Sequence, residues 1–198
     1  MERLIVATKN KGKIVEIKQV LSGLPLDVIS MNEAGIDIDI VEDGETFEEN
    51  SLKKALEISK VSKSMVLADD SGLEVDYLDG APGIYSARFA GPEASDDDKN
   101  KKLLEMLKDV PFEKRTARFV CAIAVAFPDG RHFVVRGTCE GFIDFQCKGS
   151  NGFGYDPLFF VQQFDKTMAE IDSDLKNKIS HRAKALALVQ EKLQKYLY

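Results

Sequence analysis

Two adjacent aspartates, Asp69 and Asp70, follow a short apolar run and are the residues of this sequence best suited to chemistry. The run, residues 65–68, is typical of a buried strand, and carboxylates at the carboxyl end of such a strand lie where open α/β sheets bind ligands. Carboxylate oxygens suit Mg²⁺, which takes one or two of them and shares substrate phosphates. Because neighbouring residues of a strand point to opposite faces, we expect one aspartate to face a ligand and the other to brace the turn. The alternative is a surface turn; a phosphatase with an aspartyl nucleophile is disfavoured, because its D-x-D spacing does not fit adjacent aspartates.

A further acidic residue, Glu42, lies in the segment 42–45, just before a predicted helix. Taken alone, this stretch is typical of a solvated loop. If the fold brings Glu42 beside Asp70, it supplies a second carboxylate for the metal.

Three lysines fall within five residues at the first predicted strand-to-helix turn. The turn consists of Thr8, Lys9, Asn10, Lys11, Gly12 and Lys13. The unpaired N–H groups and partial positive charge of a helix N-terminus favour an anion, and glycine allows close approach of the backbone. The spacing is not that of a Walker A loop. The turn therefore predicts a phosphate site, with a solvated lysine-rich turn as the alternative.

Two later segments are suited to binding a nucleobase. The sequence GFGYDP at 152–157 could stack a base on an aromatic ring while the backbone reads its edge, or could form a buried aromatic turn. The basic stretch 176–182, KNKISHR, holds His181, one of only two histidines. At a predicted helix start, His181 and Arg182 are better placed to donate to a ligand than to fill a core.

Alternating strands and helices would position these residues. Apolar runs and alternation predict strands at 4–7, 26–29, 65–68, 73–77 and 117–127. Helices are predicted from residue 13, after the capping motifs at Thr46 and Ser95, and from about residue 180. A hairpin signal at 128–130 adds antiparallel strands in the middle of the chain, so we expect an α/β class with a mixed sheet.

Composition excludes several functional classes. The 198 residues include 33 acidic and 27 basic side chains, a net charge of −6, which argues against a protein that binds duplex nucleic acid. Three cysteines without C-x-x-C spacing and two histidines make a zinc site improbable. No apolar run approaches the roughly 20 residues of a membrane span. The expectation is a cytoplasmic protein that does not contact membranes.

Six segments together resemble the inosine triphosphate pyrophosphatase family. They are VATKNKGKIVEI, EDGETFEENSLKKA, ADDSGLEVDYLDGAPGIYSARFAG, ARFVCAIAVAF, NGFGYDPLFF and KISHRAKAL. In the family's order they span nearly the whole chain. One departure is KGSNG at 148–152, where many members carry Gly-Thr-Gly-Gly, but the Phe-Gly-Tyr-Asp core that follows is intact.

The resemblance implies a fold and a reaction. The fold would be an elongated, mixed, twisted sheet flanked by helices, with residues 1–198 forming one domain of two lobes and the active cleft between them. The enzyme would hydrolyse dITP, ITP and XTP between the α and β phosphates, releasing the nucleoside monophosphate and pyrophosphate with Mg²⁺ as cofactor. Members are usually homodimers.

The resemblance also implies residue roles. The turn from Thr8 to Lys13 would bind the triphosphate, so this turn and Asp70 must lie close enough for one triphosphate to bridge them. Asp70 would be both general base and metal ligand, with Glu42 as the second metal ligand and Ser71 in contact with the substrate. The remaining residues would surround base and sugar: Phe153, Gly154, Tyr155, Asp156, Lys176, His181 and Arg182.

Two alternatives stay open at this point. One is a catalytically silent nucleotide-binding protein, against which the joint presence of Asp70, Glu42 and Lys13 counts. The other is a Maf-like pyrophosphatase for pyrimidine or modified nucleotides. The segment 180–182, Ser-His-Arg, favours the purine enzyme.

Overall fold

The structure is a computed structural model that describes residues 2–197. Its strands are β1 (Glu2–Val6), β2 (Leu26–Ser30), β3 (Met65–Val75), β4 (Thr116–Ala126), β5 (His132–Ile143), β6 (Phe159–Val161) and β7 (Lys166–Thr167). Its α-helices are α1 (Lys11–Leu21), α2 (Phe47–Ser62), α3 (Asp96–Met106), α4 (Ser173–Ile179) and α5 (His181–Leu197). The strands form one sheet in the order β2-β1-β3-β4-β5-β6-β7. Because β1 is parallel to β2 and β3 while β6 is antiparallel to β5 and β7, the sheet is mixed, which confirms the predicted α/β class.

The described chain divides into two compact units. The first contains residues 2–70, 121–137 and 182–197, and the second contains Ser71–Val120 and Thr138–His181. Strands β3, β4 and β5 contribute residues to both. That residues 1–198 form a single two-lobed domain stays a prediction.

In the first unit, successive side chains of β1 and of Ala7, which follows it, pack alternately into two apolar clusters. Leu4 and Val6 join one cluster with apolar residues of α1 and α5, whereas Ile5 and Ala7 join another with residues of α2. This follows from the period of two in a strand, which sends successive side chains to opposite faces. The parallel strands are thus apolar on both faces, as the short apolar runs of the sequence predict.

In the second unit, one apolar cluster joins α3 to the strands. Leu103 of α3 and Leu107, its C-cap, are fully buried with Leu73, Phe119 and Phe159. The helix begins with a complete capping box, in which Ser95 and Asp98 each accept a backbone hydrogen bond from the other's residue. The capping box and these buried leucines together fix the position of α3 within this unit.

Among the helices of residues 2–197, none has both the length and the apolar character that a membrane span requires.

The largest difference from the sequence-based expectation concerns β3. The expected turn at 69–72, between a strand at 65–68 and another at 73–77, is wrong: Met65–Val75 is one continuous strand of 11 residues. The aspartates therefore lie within a strand rather than at its end. The burial of Asp69 is possible because Lys13 and Arg182 neutralise it, a pairing that the local sequence does not reveal.

Candidate functional site

The lysine turn leads from β1 into α1 and lies beside β3. The Ala7 N–H donates to the Leu67 carbonyl at 2.7 Å, so the two strands are paired where β1 ends and β3 continues. Helix α1 begins at Lys11 with Asn10 as its N-cap, and the Asn10 side chain accepts from the Lys13 N–H at 3.1 Å. The helix therefore starts two residues earlier than the periodicity predicts, and Asn10 already satisfies one of its backbone donors. Thr8 accepts from the Asn10 N–H at 3.2 Å and so shapes the same turn.

The three lysines of the turn have different surroundings. Lys9 and Lys11 are exposed, and the Lys9 ammonium lies 2.7 Å from Asp39 and 3.5 Å from Asp37. Lys13 is largely buried and donates to Asp69. Of the three, Lys13 is therefore held in place by a buried partner.

Asp69 is the centre of a buried ionic network in the first unit. Besides Lys13 on one oxygen, its other oxygen accepts from Arg182 Nε at 2.9 Å and from the Cys121 thiol at 3.0 Å. Burial alone would raise the pKa of Asp69, but the charges of Arg182 and Lys13 outweigh it and hold the pKa well below its usual range. Arg182 also contacts Glu16. Asp69 thus holds Lys13 and Arg182 in place within a continuous strand, rather than bracing a turn as the sequence predicts.

Asp70 points to the opposite face of β3 and has a different environment. It is buried, and its Oδ2 has no hydrogen-bond partner among residues 2–197. The pKa of Asp70 is raised to about 6, mainly by burial and also by the charges of Glu42 and Asp69, which together outweigh the lowering effect of Lys54 and Lys13. A buried carboxylate oxygen without a donor is unusual in proteins and marks a position where a ligand or cation is expected.

Glu42 and Lys54 lie near Asp70, and Glu42 and Asp70 are called the acidic cluster below. Lys54 of α2 donates to Glu42, and both charges act on Asp70. Helix α2 is positioned by its N-cap Thr46, which accepts from the Glu49 N–H at 3.1 Å, while the Glu49 carboxylate accepts from Glu45 rather than closing a capping box. Sequence reasoning missed Lys54; the signal available was a lysine pair in the helix that follows the acidic loop.

Glu42 and Asp70 are the two carboxylates of the acidic cluster that could bind a metal ion. No group of three or more histidine, cysteine or acidic side chains suited to a metal ion occurs within residues 2–197. A pair of carboxylates, one with an unpartnered oxygen, matches the donor set that Mg²⁺ takes when phosphates supply further oxygens. A zinc-type site would need nitrogen or sulfur ligands.

A second cluster lies in the second unit, at the loop before β6. The Asp156 carboxylate accepts from Lys176 Nζ at 2.8 Å and from the Phe153 N–H at 2.9 Å, and both charged side chains are buried. The same ammonium lies 4.8 Å from the centre of the Phe153 ring. Gly152 is required beside them, because a Cβ there would lie 2.0 Å from Asp156 Oδ2. The structure therefore brings Lys176 into contact with Phe153 and Asp156, although it lies 20 positions after Asp156 in the sequence.

The other predicted base-binding residues have structural contacts of their own. The Tyr155 hydroxyl donates to the Ser86 carbonyl at 2.8 Å, and burial raises the pKa of Tyr155. The His181 ring is buried and stacks on Phe119 with centroids 4.8 Å apart. Arg182 is buried in the Asp69 network, and Ser71 is half-buried within β3. Contact of these residues with a purine stays a prediction.

The sequence and the fold of this chain are similar to those of known proteins. A model of the Ham1 family matches residues 4–192. The chain is 52% identical to a dITP/XTP pyrophosphatase of Clostridium perfringens over 200 residues, covering 98% of each chain. It is 50% identical to one of Geobacter sulfurreducens, covering 98% of this chain and 97% of the relative. The solved HAM1 protein of Coxiella burnetii superposes with a TM-score of 0.90 at 38% identity, covering 98% of this chain and 100% of the other. The Ham1 protein of Staphylococcus aureus superposes with a TM-score of 0.89 at 42% identity, covering the same shares.

Proposed function

The chain belongs to the Ham1 family, and we propose that it is a dITP/XTP pyrophosphatase. It hydrolyses dITP, ITP and XTP to the nucleoside monophosphate and pyrophosphate and so removes non-standard purines from the nucleotide pool. The family match over residues 4–192 confirms the resemblance recognised in the sequence, and full-length relatives carry the same functional name. One observation carries the assignment of the site: the buried Oδ2 of Asp70, near the Lys13 and Glu42 charges, has no hydrogen-bond partner in the described part of the chain.

The lysine turn binds the triphosphate in this proposal. A nucleoside triphosphate brings about four negative charges, which a helix N-terminus and its lysines can neutralise. Lys9, Lys11 and Lys13 are the cations of the turn, and Lys13 is the one fixed by a buried carboxylate. Because Asp69 remains ionised, it orients Lys13 without competing for the role of base.

Glu42 and Asp70 would hold Mg²⁺. This role fits Asp70 Oδ2, which no group of residues 2–197 contacts by a hydrogen bond, and the influence of the Glu42 charge on Asp70. When bound, the ion neutralises phosphate charge that develops in the transition state. Lys54, which contacts Glu42, adds a further positive charge to the same cluster.

Asp70 acts as the general base. Phosphoryl transfer needs the protein mainly to position groups and stabilise charge, and one residue must orient the attacking water. Asp70 is the candidate because its oxygen accepts no protein donor among residues 2–197 and can therefore accept the water proton. Asp69 cannot do so, since Lys13, Arg182 and Cys121 occupy its oxygens.

The second cluster binds the purine. The Phe153 ring offers a stacking face, and the buried Asp156–Lys176 pair holds polar groups next to it. Tyr155, Ser71, His181 and Arg182 are proposed to contact substrate on the family resemblance. Donors such as Arg182 aimed at the 6-keto group would leave the adenine amino group unpaired, and sites of this type reject the wrong group by up to about 10⁴–10⁵.

A substrate panel tests the proposal. The purified protein with Mg²⁺ is offered ITP, XTP, GTP, ATP and dUTP, and pyrophosphate is measured. We expect fast release from ITP and XTP and at least about a hundredfold slower release from ATP. Comparable rates for every nucleotide would reject purine selectivity. Release from dUTP alone would favour the Maf-like alternative, and binding without release would favour the silent protein.

Three further properties are proposed, the first and third on the resemblance and the second on the composition of the chain. They are assembly as a homodimer, a cytoplasmic location and the organisation of residues 1–198 as one two-lobed domain. None enters the catalytic argument.

A further inference from the structure

Helix α3 contacts the peptide groups of Gly154, in the middle of the loop proposed to bind the purine. The Gly154 N–H donates to Asp96 Oδ2 at 2.6 Å, and the Gly154 carbonyl accepts from Asn100 Nδ2 at 2.9 Å. Asp96 and Asn100 are four residues apart, so both lie on the same face of α3. One helix face therefore fixes the donor and the acceptor of a single glycine.

We infer that Asp96 and Asn100 are positioning residues for purine specificity, acting through Gly154 on the neighbouring Phe153 and Asp156. This inference rests on the proposed function. In this inference, neither Asp96 nor Asn100 contacts the nucleotide itself. Their effect is to hold the loop in the one conformation in which ring and carboxylate are both correctly placed.

The loop needs such support because of its composition. Gly152 and Gly154 have φ values of +78° and +65°, in the region that glycine adopts readily and other residues avoid. Glycine has the widest choice of backbone conformations, so this loop loses more entropy than most when it becomes ordered. Because the N–H and the carbonyl of Gly154 are both hydrogen-bonded, the rotation of its backbone about φ and ψ is restricted.

Helix α3 is suited to provide a fixed reference. Its first turn is closed by the Ser95–Asp98 capping box, and Leu103 and Leu107 anchor its other end in the apolar cluster of the second unit. Asn100 is itself buried. Burial would raise the pKa of Asp96, but hydrogen bonds from Lys99 and Gly154 lower it, so Asp96 accepts as a carboxylate at neutral pH. A charged acceptor makes the stronger kind of hydrogen bond.

The first turn of α3 provides a matched control. Asp97 follows Asp96 directly and both are exposed, so Asp96→Ala and Asp97→Ala remove the same charge from the same helix turn. Only the first removes the acceptor for Gly154. Asp96→Asn retains an oxygen that can accept and is therefore the conservative variant.

The experiment measures kcat and KM for ITP and ATP with Mg²⁺. For Asp96→Ala we expect KM for ITP to rise at least about tenfold, as the loss of a charge-assisted hydrogen bond would produce. The ratio of kcat/KM for ITP over ATP should fall at least about fivefold, with kcat for ITP within about threefold of wild type. Asp97→Ala should match wild type within about twofold, and Asp96→Asn should recover part of the loss. Asn100→Leu, which removes the second contact but keeps the branching of the side chain, should also lower the ratio.

Equal KM values and equal ITP-over-ATP ratios in Asp96→Ala and Asp97→Ala would overturn the inference. So would a fall in kcat alone, because a purely structural role reduces the amount of active enzyme without changing its specificity. If Asn100→Leu does not fold, the two aspartate variants still decide. Failure of the proposed function looks different: the wild-type protein would release no pyrophosphate from ITP.

Discussion

Replacing Asp69 by asparagine should destabilise the first unit strongly. The Asp69 side chain is 0% exposed, Arg182 is 2% exposed and Lys13 is 16% exposed, so all three are removed from water. Asparagine keeps the shape but not the charge, which leaves buried cations without their main partner. Removing one member of a buried ion pair typically lowers stability by about 3–5 kcal/mol. Because Glu16 still contacts Arg182, we expect the lower end, about 3 kcal/mol.

Urea unfolding at neutral pH measures this effect. With a urea dependence of about 1–3 kcal/mol/M, a loss of about 3 kcal/mol moves the midpoint down by about 1–3 M. The matched control is Asp27→Asn, which removes the ion pair with Arg3, whose N···O distance is 3.6 Å and whose side chains are at least half exposed. That variant should lose less than about 1 kcal/mol.

An Asp69→Asn midpoint as close to wild type as that of Asp27→Asn would refute the reasoning. It would mean that the cations around Asp69 are adequately solvated or compensated without it. The pairing would then not explain why β3 continues through two aspartates.

Three other substitutions test separate parts of the structure. Glu33→Gln should lower the thermal midpoint at neutral pH. Hydrogen bonds from Ser30 and Lys18 lower the pKa of Glu33 from 4.5 to about 2. The difference in thermal midpoint between variant and wild type should therefore disappear as the pH falls from 4.5 to about 2. A difference that stays constant across a pH series of melts would contradict this prediction. Arg115→Met should lower the free energy of unfolding by at least about 2 kcal/mol in urea, because it leaves buried backbone carbonyls without their guanidinium donor; a loss under about 1 kcal/mol would count against this. Gly152→Ala should raise KM for ITP at least about tenfold, because its Cβ would displace Asp156; unchanged steady-state kinetics would show that the loop tolerates the methyl group.

Much of the frame could be predicted because its signals are local. The short apolar runs indicated β1, β2 and the start of β3, and Ser95 and Thr46 indicated where α3 and α2 begin. Alternation indicated the long β4, and the resemblance of the motifs indicated the family. Each of these features depends on residues close together in sequence.

The pairing around the site could not be predicted because it is non-local. The sequence 69–72, DDSG, has the composition of a turn, and nothing nearby shows that Lys13 and Arg182 neutralise Asp69, the latter from 113 positions away. The same limit hid Lys54, whose relation to Glu42 and Asp70 appears only when α2 is in place. The N-cap role of Asn10, whose side-chain oxygen accepts from the Lys13 N–H, likewise appears only with the start of α1 in place.

The role of Asp70 is the central claim, and the variant Asp70→Asn tests it most directly. The measurement is single-turnover pyrophosphate release from ITP, with ITP binding and urea unfolding followed on the same protein. Because a neutral amide is buried more easily than a carboxylate, the variant should be at least as stable as wild type. We expect ITP to bind and pyrophosphate release to fall by about 10²–10⁴-fold, the contribution that a general base typically makes. Release within about tenfold of the wild-type rate would remove Asp70 from the role of base and contradict the account.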